Sequence, residues 1–527
     1  MNLEISEGRL KLRFDYHPKT ITRCHQTGVE MKWMKSNKYW WLPDNKINRK
    51  VISKAFPELN YVPDDNGHNP TGIKFIPPDY MMAHQKEALK FSDENPRHLF
   101  AHRTGTGKTV IGIEIIRSKL MSGHIKKTLV VCPLSIINPA WMEDINRFAP
   151  ELRAVNLWEW WGRHINKFKE RIEWMDVGII NFESFKKCKR YLKGVDMVLV
   201  DESSKIKNMQ AQITQQMVEF CDDVSYVYLF SGTPAPNSSM EYFSQARIVD
   251  PTIFGRSFYK FRNKYYYSAG YGGFTWIQKS DYEFEMMDRI ASFSSVVRKR
   301  DVLDLPPRTF NVIDVHLSAG EKKAYKEMVD HLIAVIEEKQ ISAYNAAVKG
   351  MKLRQITAGF LINEEGEVKD FGNSKMNVLL DLLEQIGDEQ VIIWTQFIHE
   401  AKLIALKLQK LNKTYGMMIG EIKHKDRDQN IKDFKAGDRQ YLIAHPATMA
   451  HGFTLTNCTY AVYYSLSYSH EEHLQSQDRI YRRGTSKPCS YYYLLAPGTI
   501  DKVIYACLRD KRRSEESVLN HIKASRF

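Results

Sequence analysis

Eight consecutive residues, His102-Arg103-Thr104-Gly105-Thr106-Gly107-Lys108-Thr109, have the composition of a polyphosphate cradle. Glycines at Gly105 and Gly107 let backbone N–H groups converge on phosphate oxygens, with Thr106 between them. Lys108 can then reach the outer phosphates, and the Thr109 hydroxyl can hold Mg²⁺. The strict pattern has glycine where this chain has His102. Downstream, Val198-Leu199-Val200 runs into Asp201-Glu202-Ser203-Ser204. An acidic pair at the end of a buried strand suits magnesium holding by Asp201 through water, and orientation or activation of an attacking water by Glu202. The same residues also suit a helix N-cap, where Asp and Ser are common. A third segment is Gln475-Ser476-Gln477-Asp478-Arg479-Ile480-Tyr481-Arg482-Arg483-Gly484. If it is helical, Arg479 and Arg482 lie three apart on one face. Arginines that close over a γ-phosphate contribute ~10³–10⁵ in rate; a solvated charged face is the other reading of this segment.

These residues need rigid elements behind them. Arg97-His98-Leu99-Phe100-Ala101 reads as a short buried strand before the glycine-rich turn, and Val110–Ile116 as the helix after it. Further strands are expected at 128–132, 177–180, 197–200 and 226–230, alternating with helical patterns. Ser231-Gly232-Thr233-Pro234 follows the last of these, where a turn is expected and where ligands of parallel α/β sheets bind. The alternation resumes with strands at 390–394, 440–444 and 461–464. The expected fold class is therefore α/β, with two parallel-sheet lobes. The expected organisation is an aromatic, basic N-terminal module at 1–69, a first lobe at 70–252, a helical insertion and inter-lobe segment at 253–370, a second lobe at 371–508 and a basic tail at 509–527. The tail's Arg509, Lys511, Arg512 and Arg513 read as a solvated helix face. In 258–284, Tyr265, Tyr266, Tyr267, Tyr271, Phe274 and Trp276 are read chiefly as packing, with base stacking as the second reading.

Composition sets the outer bounds. A chain of 527 residues is too long for one core. Hydrophobic content of 43% and charged content of 26% describe an ordinary globular protein. The net charge of +14 suits a polyanionic partner. Seven scattered cysteines include no Cys-x-x-Cys pair, so neither a zinc site nor a disulfide framework is indicated. Reduced thiols point to a cytoplasmic location, or a nuclear one in a eukaryotic host. No basic-then-apolar leader and no membrane-length apolar run is present.

Together, in order, these segments resemble a superfamily-two helicase core of the SWI/SNF type, from about residue 75 to 508. Gln85, in His84-Gln85-Lys86-Glu87, matches the glutamine that reads adenine in that family. Gly105, Gly107, Lys108 and Thr109 match motif I, which often lacks the first glycine. Val131-Cys132-Pro133-Leu134-Ser135 with Trp141 and Phe148 resembles motif Ia, a DNA-backbone contact region, and Ile180-Asn181-Phe182-Glu183 resembles motif Ib. Asp201 and Glu202 match motif II, with Ser204 where the family has histidine. Gly232, Thr233 and Pro234 match motif III. Val297–Val302 with Leu305-Pro306-Pro307 looks like the Arg-rich, Leu-Pro-Pro signature before the second lobe. Gly452 and Leu455 fit motif V. Gln475, Asp478, Arg479, Arg482 and Gly484 fit motif VI, with Thr485 where the family has glutamine. The N-terminal Met31-Lys32-Trp33 and Lys38-Tyr39-Trp40-Trp41-Leu42-Pro43 are similar to the HARP module of annealing helicases; a small β-rich cap with core tryptophans is the alternative.

The resemblance implies two RecA-like lobes, ATP and Mg²⁺ as cofactors, and DNA, double-stranded or forked, as partner. It implies an ATP hydrolase that translocates on DNA, with fork regression or strand annealing as outcomes. Strand unwinding on DNA or RNA by the same engine, and a non-catalytic DNA-binding scaffold, are the competing readings.

Overall fold

The computed structural model describes residues 1–6, 9–14, 18–26, 31–34, 39–43, 49, 52–53, 55–59, 75–162, 165–269, 275–337, 343–363, 365–449 and 454–524. The chain divides into two compact units, Met1–Val302 with Ser514–Phe527, and Leu303–Arg513.

In the first unit, the N-terminal strands β1 (Asn2–Ser6), β2 (Arg9–Arg13), β3 (Lys32–Met34) and β4 (Tyr39–Pro43) form an antiparallel sheet in the order β1-β2-β4-β3. Leu10, Leu12, Cys24, Leu42, Ile52 and Phe56 make its small core. The tryptophans divide by environment. Trp41 is buried under the Arg9 guanidinium, 4.6 Å from its ring centroid, whereas Trp33 is 45% exposed.

The main sheet of this unit is built from β5 (Arg97–His102), β6 (Thr128–Cys132), β7 (Ala154–Asn156), β8 (Val177–Asn181), β9 (Met197–Asp201), β10 (Tyr226–Phe230) and β13 (Ser294–Val297), while β11 (Tyr266–Ala269) and β12 (Thr275–Gln278) pair antiparallel apart from it. Its order is β13-β5-β10-β9-β6-β8-β7, and every pairing is parallel. Helices cover both faces, so both faces are dry and the strands read as continuous apolar runs. Alternate residues feed separate cores: Leu99, Val131, Val198, Val200 and Leu229 on one side, Phe100, Val130, Leu199, Tyr228 and Phe230 on the other. Arg97, at the start of β5, is buried. Its guanidinium donates to the carbonyls of Cys221 and Val224 after one helix and of Ile248 and Val249 at the end of another. Orphan carbonyls at helix ends are thereby satisfied by a cation, which their dipoles favour.

The second unit holds β14 (Arg308–Asp314), β17 (Val391–Trp394), β18 (Tyr415–Met418), β19 (Tyr441–Ala444), β20 (Tyr460–Tyr463) and β21 (Cys489–Leu495) in the order β14-β21-β20-β17-β19-β18, again wholly parallel, with β15 (Phe360–Ile362) and β16 (Val368–Asp370) as a separate antiparallel pair. A buried ion pair, Lys375 to Asp501 at 2.7 Å, ties two of its helices, and Asp501 also accepts from Thr357 Oγ1 and Ala496 N–H. With its other acceptor sites filled, the carboxylate is not left as an uncompensated buried charge.

The stretch at 253–370, expected as a helical insertion and inter-lobe segment, contributes to both units. Residues 253–302 contribute β13 to the first sheet, and the chain from Leu303 contributes β14 to the second. Neither strand has a long apolar run: β13 is Ser-Ser-Val-Val and β14 is half-exposed along its length. The aromatic segment packs mostly as expected. Phe258, Phe261, Tyr265 and Tyr266 join the first core, while Tyr259 and Tyr267 are exposed; Tyr271 and Phe274 lie outside the described residues. The tail differs more sharply. One helix runs Ile500–Ala524. Arg509 and Arg513 are exposed, as a solvated face predicts, but Val518, Leu519 and Ile522 are buried in the core of the first unit. Charge dominates the reading of the segment, and three apolar residues spaced for one helix face decide its fate.

Candidate nucleotide site

The nucleotide-site residues are carried at the carboxyl ends of three adjacent strands, β5, β10 and β9. The glycine-rich turn follows β5 and leads into the helix Lys108–Met121. Gly105 and Gly107 have φ of 86° and 80°, the left-handed region that glycine reaches without steric cost. Thr106 closes the turn, donating from N and Oγ1 to the Arg103 carbonyl at 3.3 and 2.8 Å. Lys108 opens the helix and is buried, and Thr109 follows it half-buried. A helix N-terminus behind a glycine turn is a ready-made anion site.

Gln85 sits in the helix Ala83–Glu94 and leans on this turn. Its amide nitrogen is 3.4 Å from the carbonyls of Thr106 and Gly107, and its Oε1 accepts from Met82 N–H at 2.8 Å. His84, which the sequence does not single out, contacts the Thr106 carbonyl through Nε2 at 2.8 Å. A Cβ at Gly107 would come within 2.1 Å of the Gln85 amide. The second glycine is therefore required by this glutamine as well as by its own φ.

Asp201 is the last residue of β9, and Glu202 follows in the left-handed region at φ 56°. A non-glycine residue there costs about 1–2 kcal/mol, and such outliers cluster at functional sites. Asp201 Oδ1 accepts the Glu202 N–H at 3.0 Å, and Oδ2 accepts the Trp141 indole N–H at 3.0 Å. Burial pushes the Asp201 carboxyl above its ordinary range; the Lys108 ammonium, the Trp141 indole and the Glu202 amide oppose this. A buried carboxylate next to a hydroxyl-bearing helix start is a hard-oxygen donor set of the kind that suits Mg²⁺ held between protein and phosphates. Among the described residues no cluster of three or more His, Cys, Asp or Glu forms a separate metal cage.

The turn after β10 is locked to both neighbours. Ser203 Oγ donates to Gln245 Oε1 at 2.9 Å, and Gln245 Nε2 donates to the Pro234 carbonyl at 2.6 Å. On the other side, Arg103 donates to the Gly232 carbonyl at 3.1 Å and pairs with Glu515 at 3.0 Å.

In the second unit, the helix His470–Gln477 ends before the arginines. Arg479 and Arg482 therefore lie on the turns that follow rather than on one helical face. Thr485 fixes the turns beyond it: its hydroxyl donates to the Ile480 carbonyl and accepts from Arg482 N–H. Arg479 is 5% exposed, and its carbonyl accepts from Leu455 N–H at 3.0 Å, which joins the motif V and motif VI segments. Arg482 is half-buried; desolvation lowers its pKa and Asp478 opposes that. Gly452 lies outside the described residues.

Residues 80–366 match the model of the SNF2-related domain, and residues 374–484 match that of the helicase conserved C-terminal domain. The first match alone covers more than half of the chain. This protein belongs to the SNF2-related family. As a member it is a helicase-like ATPase with two RecA-like lobes. It is 24% identical over 447 residues to "Putative protein p41" of Acyrthosiphon pisum secondary endosymbiont phage 1, covering 80% of this chain and 93% of that one. It is 24% identical over 445 residues to "SWI/SNF-related matrix-associated actin-dependent regulator of chromatin subfamily A-like protein 1" of Xenopus tropicalis, covering 82% of this chain and 44% of that one. The "CHD3-type chromatin-remodeling factor CHR7" of Arabidopsis thaliana is 23% identical over 514 residues, with 90% and 41% covered. The chain thus spans most of the phage protein and under half of these two eukaryotic relatives. Among solved structures, the "Sulfolobus solfataricus SWI2/SNF2 ATPase core in complex with dsDNA" aligns with a TM-score of 0.41 and 20% identity, over 86% of this chain and 99% of that one.

Four residues that contact these turns escape the sequence reading, or enter it without this role: His84, Arg103, Gln245 and Glu515. The sequence places Trp141 with the DNA-contact segment, and its indole bond to Asp201 leaves no trace in spacing.

Proposed function

We propose that the chain is an ATP-driven motor that moves along double-stranded or forked DNA. The observation that carries this is the convergence on β5, β10 and β9 of the phosphate turn, the Ser231-Gly232-Thr233-Pro234 turn and the Asp201-Glu202 pair. Gly105, Thr106, Gly107 and Lys108 bind the phosphates, and Gln85 is the proposed adenine reader. Thr109 and Asp201 are the residues that hold Mg²⁺, which when bound offsets charge between the outer phosphates. Glu202 orients the attacking water and takes its proton. Arg479 and Arg482 are the proposed source of positive charge in the transition state, supplied as the second lobe closes. The Gln245 bridge between Ser203 and Pro234 gives motif II a direct mechanical link to motif III.

DNA as the track is supported by the net charge of +14 and by the names of relatives, which include a chromatin-remodelling factor and a "DNA repair and recombination protein". Fork regression or annealing is the outcome we favour, because the N-terminal sheet joins basic residues with the exposed Trp33. The buried cysteine thiols suit a reducing compartment, cytoplasmic or nuclear.

Phosphate release with single-stranded, double-stranded and forked DNA, and with RNA, tests the reading, alongside triplex displacement for translocation and strand displacement for unwinding. Duplex or forked DNA should stimulate most, and triplex displacement should require ATP. Lys108→Ala should abolish turnover while the protein stays folded, because the ammonium offsets phosphate charge and alanine is well tolerated at this first helical position. Wild-type turnover in that variant would overturn the site.

A further inference from the structure

We infer that Glu515, on the last helix, is a positioning residue of the ATPase site: it acts through Arg103 to hold the phosphate turn against the turn after β10. The inference rests on the assignment of the nucleotide site to residues 105–109.

The geometry has three parts. First, Arg103 begins the phosphate turn, and its fork is engaged at both ends. Nη1 donates to the Gly232 carbonyl at 3.1 Å and lies 3.3 Å from Glu515 Oε1, while Nη2 lies 3.0 Å from Glu515 Oε2. A bidentate guanidinium–carboxylate pair fixes direction as well as distance. Second, the two turns touch at backbone level. A Cβ on Gly232 would lie 2.9 Å from Thr104 Oγ1 and 3.2 Å from Thr104 N. A shift of the Arg103 side chain is therefore felt directly where the phosphate turn meets motif III. Third, the Glu515 side chain is only 2% exposed, on a helix end already anchored by Val518, Leu519 and Ile522.

The third part decides between anchoring and positioning. A buried ion pair adds little net stability over an apolar contact, because both ions must be desolvated. A fourth apolar residue would dock the helix at least as well. What the carboxylate supplies is a fixed direction for Arg103, whose own carbonyl accepts both bonds that close the turn at Thr106. The residues that cradle the phosphates thus depend on a side chain more than 400 positions away in sequence.

The test uses the full chain with Glu515→Gln, which keeps the shape but removes the charge, and Glu515→Asp, which keeps the charge but shortens the reach. Three quantities are read: kcat and KM for ATP, nucleotide binding, and deuterium uptake of the amides at 103–108 and 514–524. Misplacing catalytic groups by about 1 Å costs up to ~10²-fold. Glu515→Gln should lower kcat by roughly 10-fold or more with smaller change in nucleotide binding. It should speed exchange at 103–108 while 514–524 stays protected, and Glu515→Asp should recover part of both losses. If Glu515→Gln does not fold, Glu515→Asp decides by the same readouts. Wild-type kcat and wild-type exchange at 103–108 in a folded variant would overturn the inference. Lys108→Ala is run in parallel: turnover surviving there removes the nucleotide site itself, whereas its loss beside a normal Glu515 variant removes only the role of Glu515.

Discussion

At the scale of single residues, the acidic pair divides its labour by environment. Asp201 accepts one bond from an indole and one from an amide, which orient its carboxylate, while the left-handed backbone of Glu202 re-aims the chain one residue after the strand ends. Glu202→Gln should bind ATP normally and hydrolyse it ~10²–10⁴-fold more slowly, since it keeps shape and loses the base. Equilibrium binding of a fluorescent nucleotide together with single-turnover rates separates the two effects; loss of binding would reassign Glu202. Most of this site is legible in the sequence because its chemistry is local. Phosphate binding needs Gly105, Gly107, Lys108 and Thr109 within one turn, and carboxylates at a strand end stand out after an apolar run. Gln245, Arg103 and Glu515 are not legible, because what they do depends on partners tens to hundreds of positions away and leaves no periodic trace.

At the scale of elements, the π-helical stretch Ile137–Met142 brings Trp141 to Asp201. Gly112 makes the room: a Cβ there would meet the Trp141 ring at 2.8 Å. A motif Ia element is thereby tied to the Asp201 carboxylate, the proposed magnesium holder, and π-turns recur at functional sites. Trp141→Phe keeps a ring but removes the donor. The magnesium concentration for half-maximal ATPase should rise by about 10-fold, as for other partners that orient a metal-holding group. Unchanged magnesium dependence with only a lower melting temperature would make Trp141 a packing residue. In the second unit, burial, with His470 and Arg512 nearby, pushes His473 down to about 3. Its Nε2 lies 2.8 Å from the Gln477 amide nitrogen and 3.2 Å from the Tyr493 hydroxyl, so a protonated ring would face a donor. Between pH about 6.5 and about 3 the unfolded chain holds a proton that the fold excludes, so this contribution is complete above 6.5 and is lost as pH falls. His473→Gln should flatten the acid-side fall in the second unit's thermal transition, followed by calorimetry from pH 7 to 4; an unchanged slope would remove His473 as its source. The strands that carry these sites were readable because parallel strands buried on both faces are nearly all apolar. The turns after Gln477 are not, since Thr485 holds them through bonds that composition does not reveal.

At the scale of the whole molecule, the two parallel sheets follow from strand–helix alternation alone, while their boundary does not. β13 and β14 are short or half-exposed, and only their pairing shows which sheet each joins. The N-terminal sheet offers a test of what directs the motor. Removal of residues 1–69 should leave basal ATPase largely intact and reduce the preference for forked over plain duplex DNA. If the shortened protein discriminates as well as the full chain, the sheet is a structural cap and its tryptophans serve the core.

The division of the first unit into two stretches of chain has a consequence for how the protein is made. Roughly 210 residues separate Val302 from Ser514, and at ~5–20 residues per second a ribosome needs on the order of 10–40 s to cross that interval. Throughout that time the nascent first lobe lacks Val518, Leu519 and Ile522, each worth about 1.5–3 kcal/mol of burial. A product terminated before Glu515 can carry the motifs described here and still present an unfinished core, with Arg103 short of its carboxylate. Completion of that core therefore waits until the second lobe has been translated.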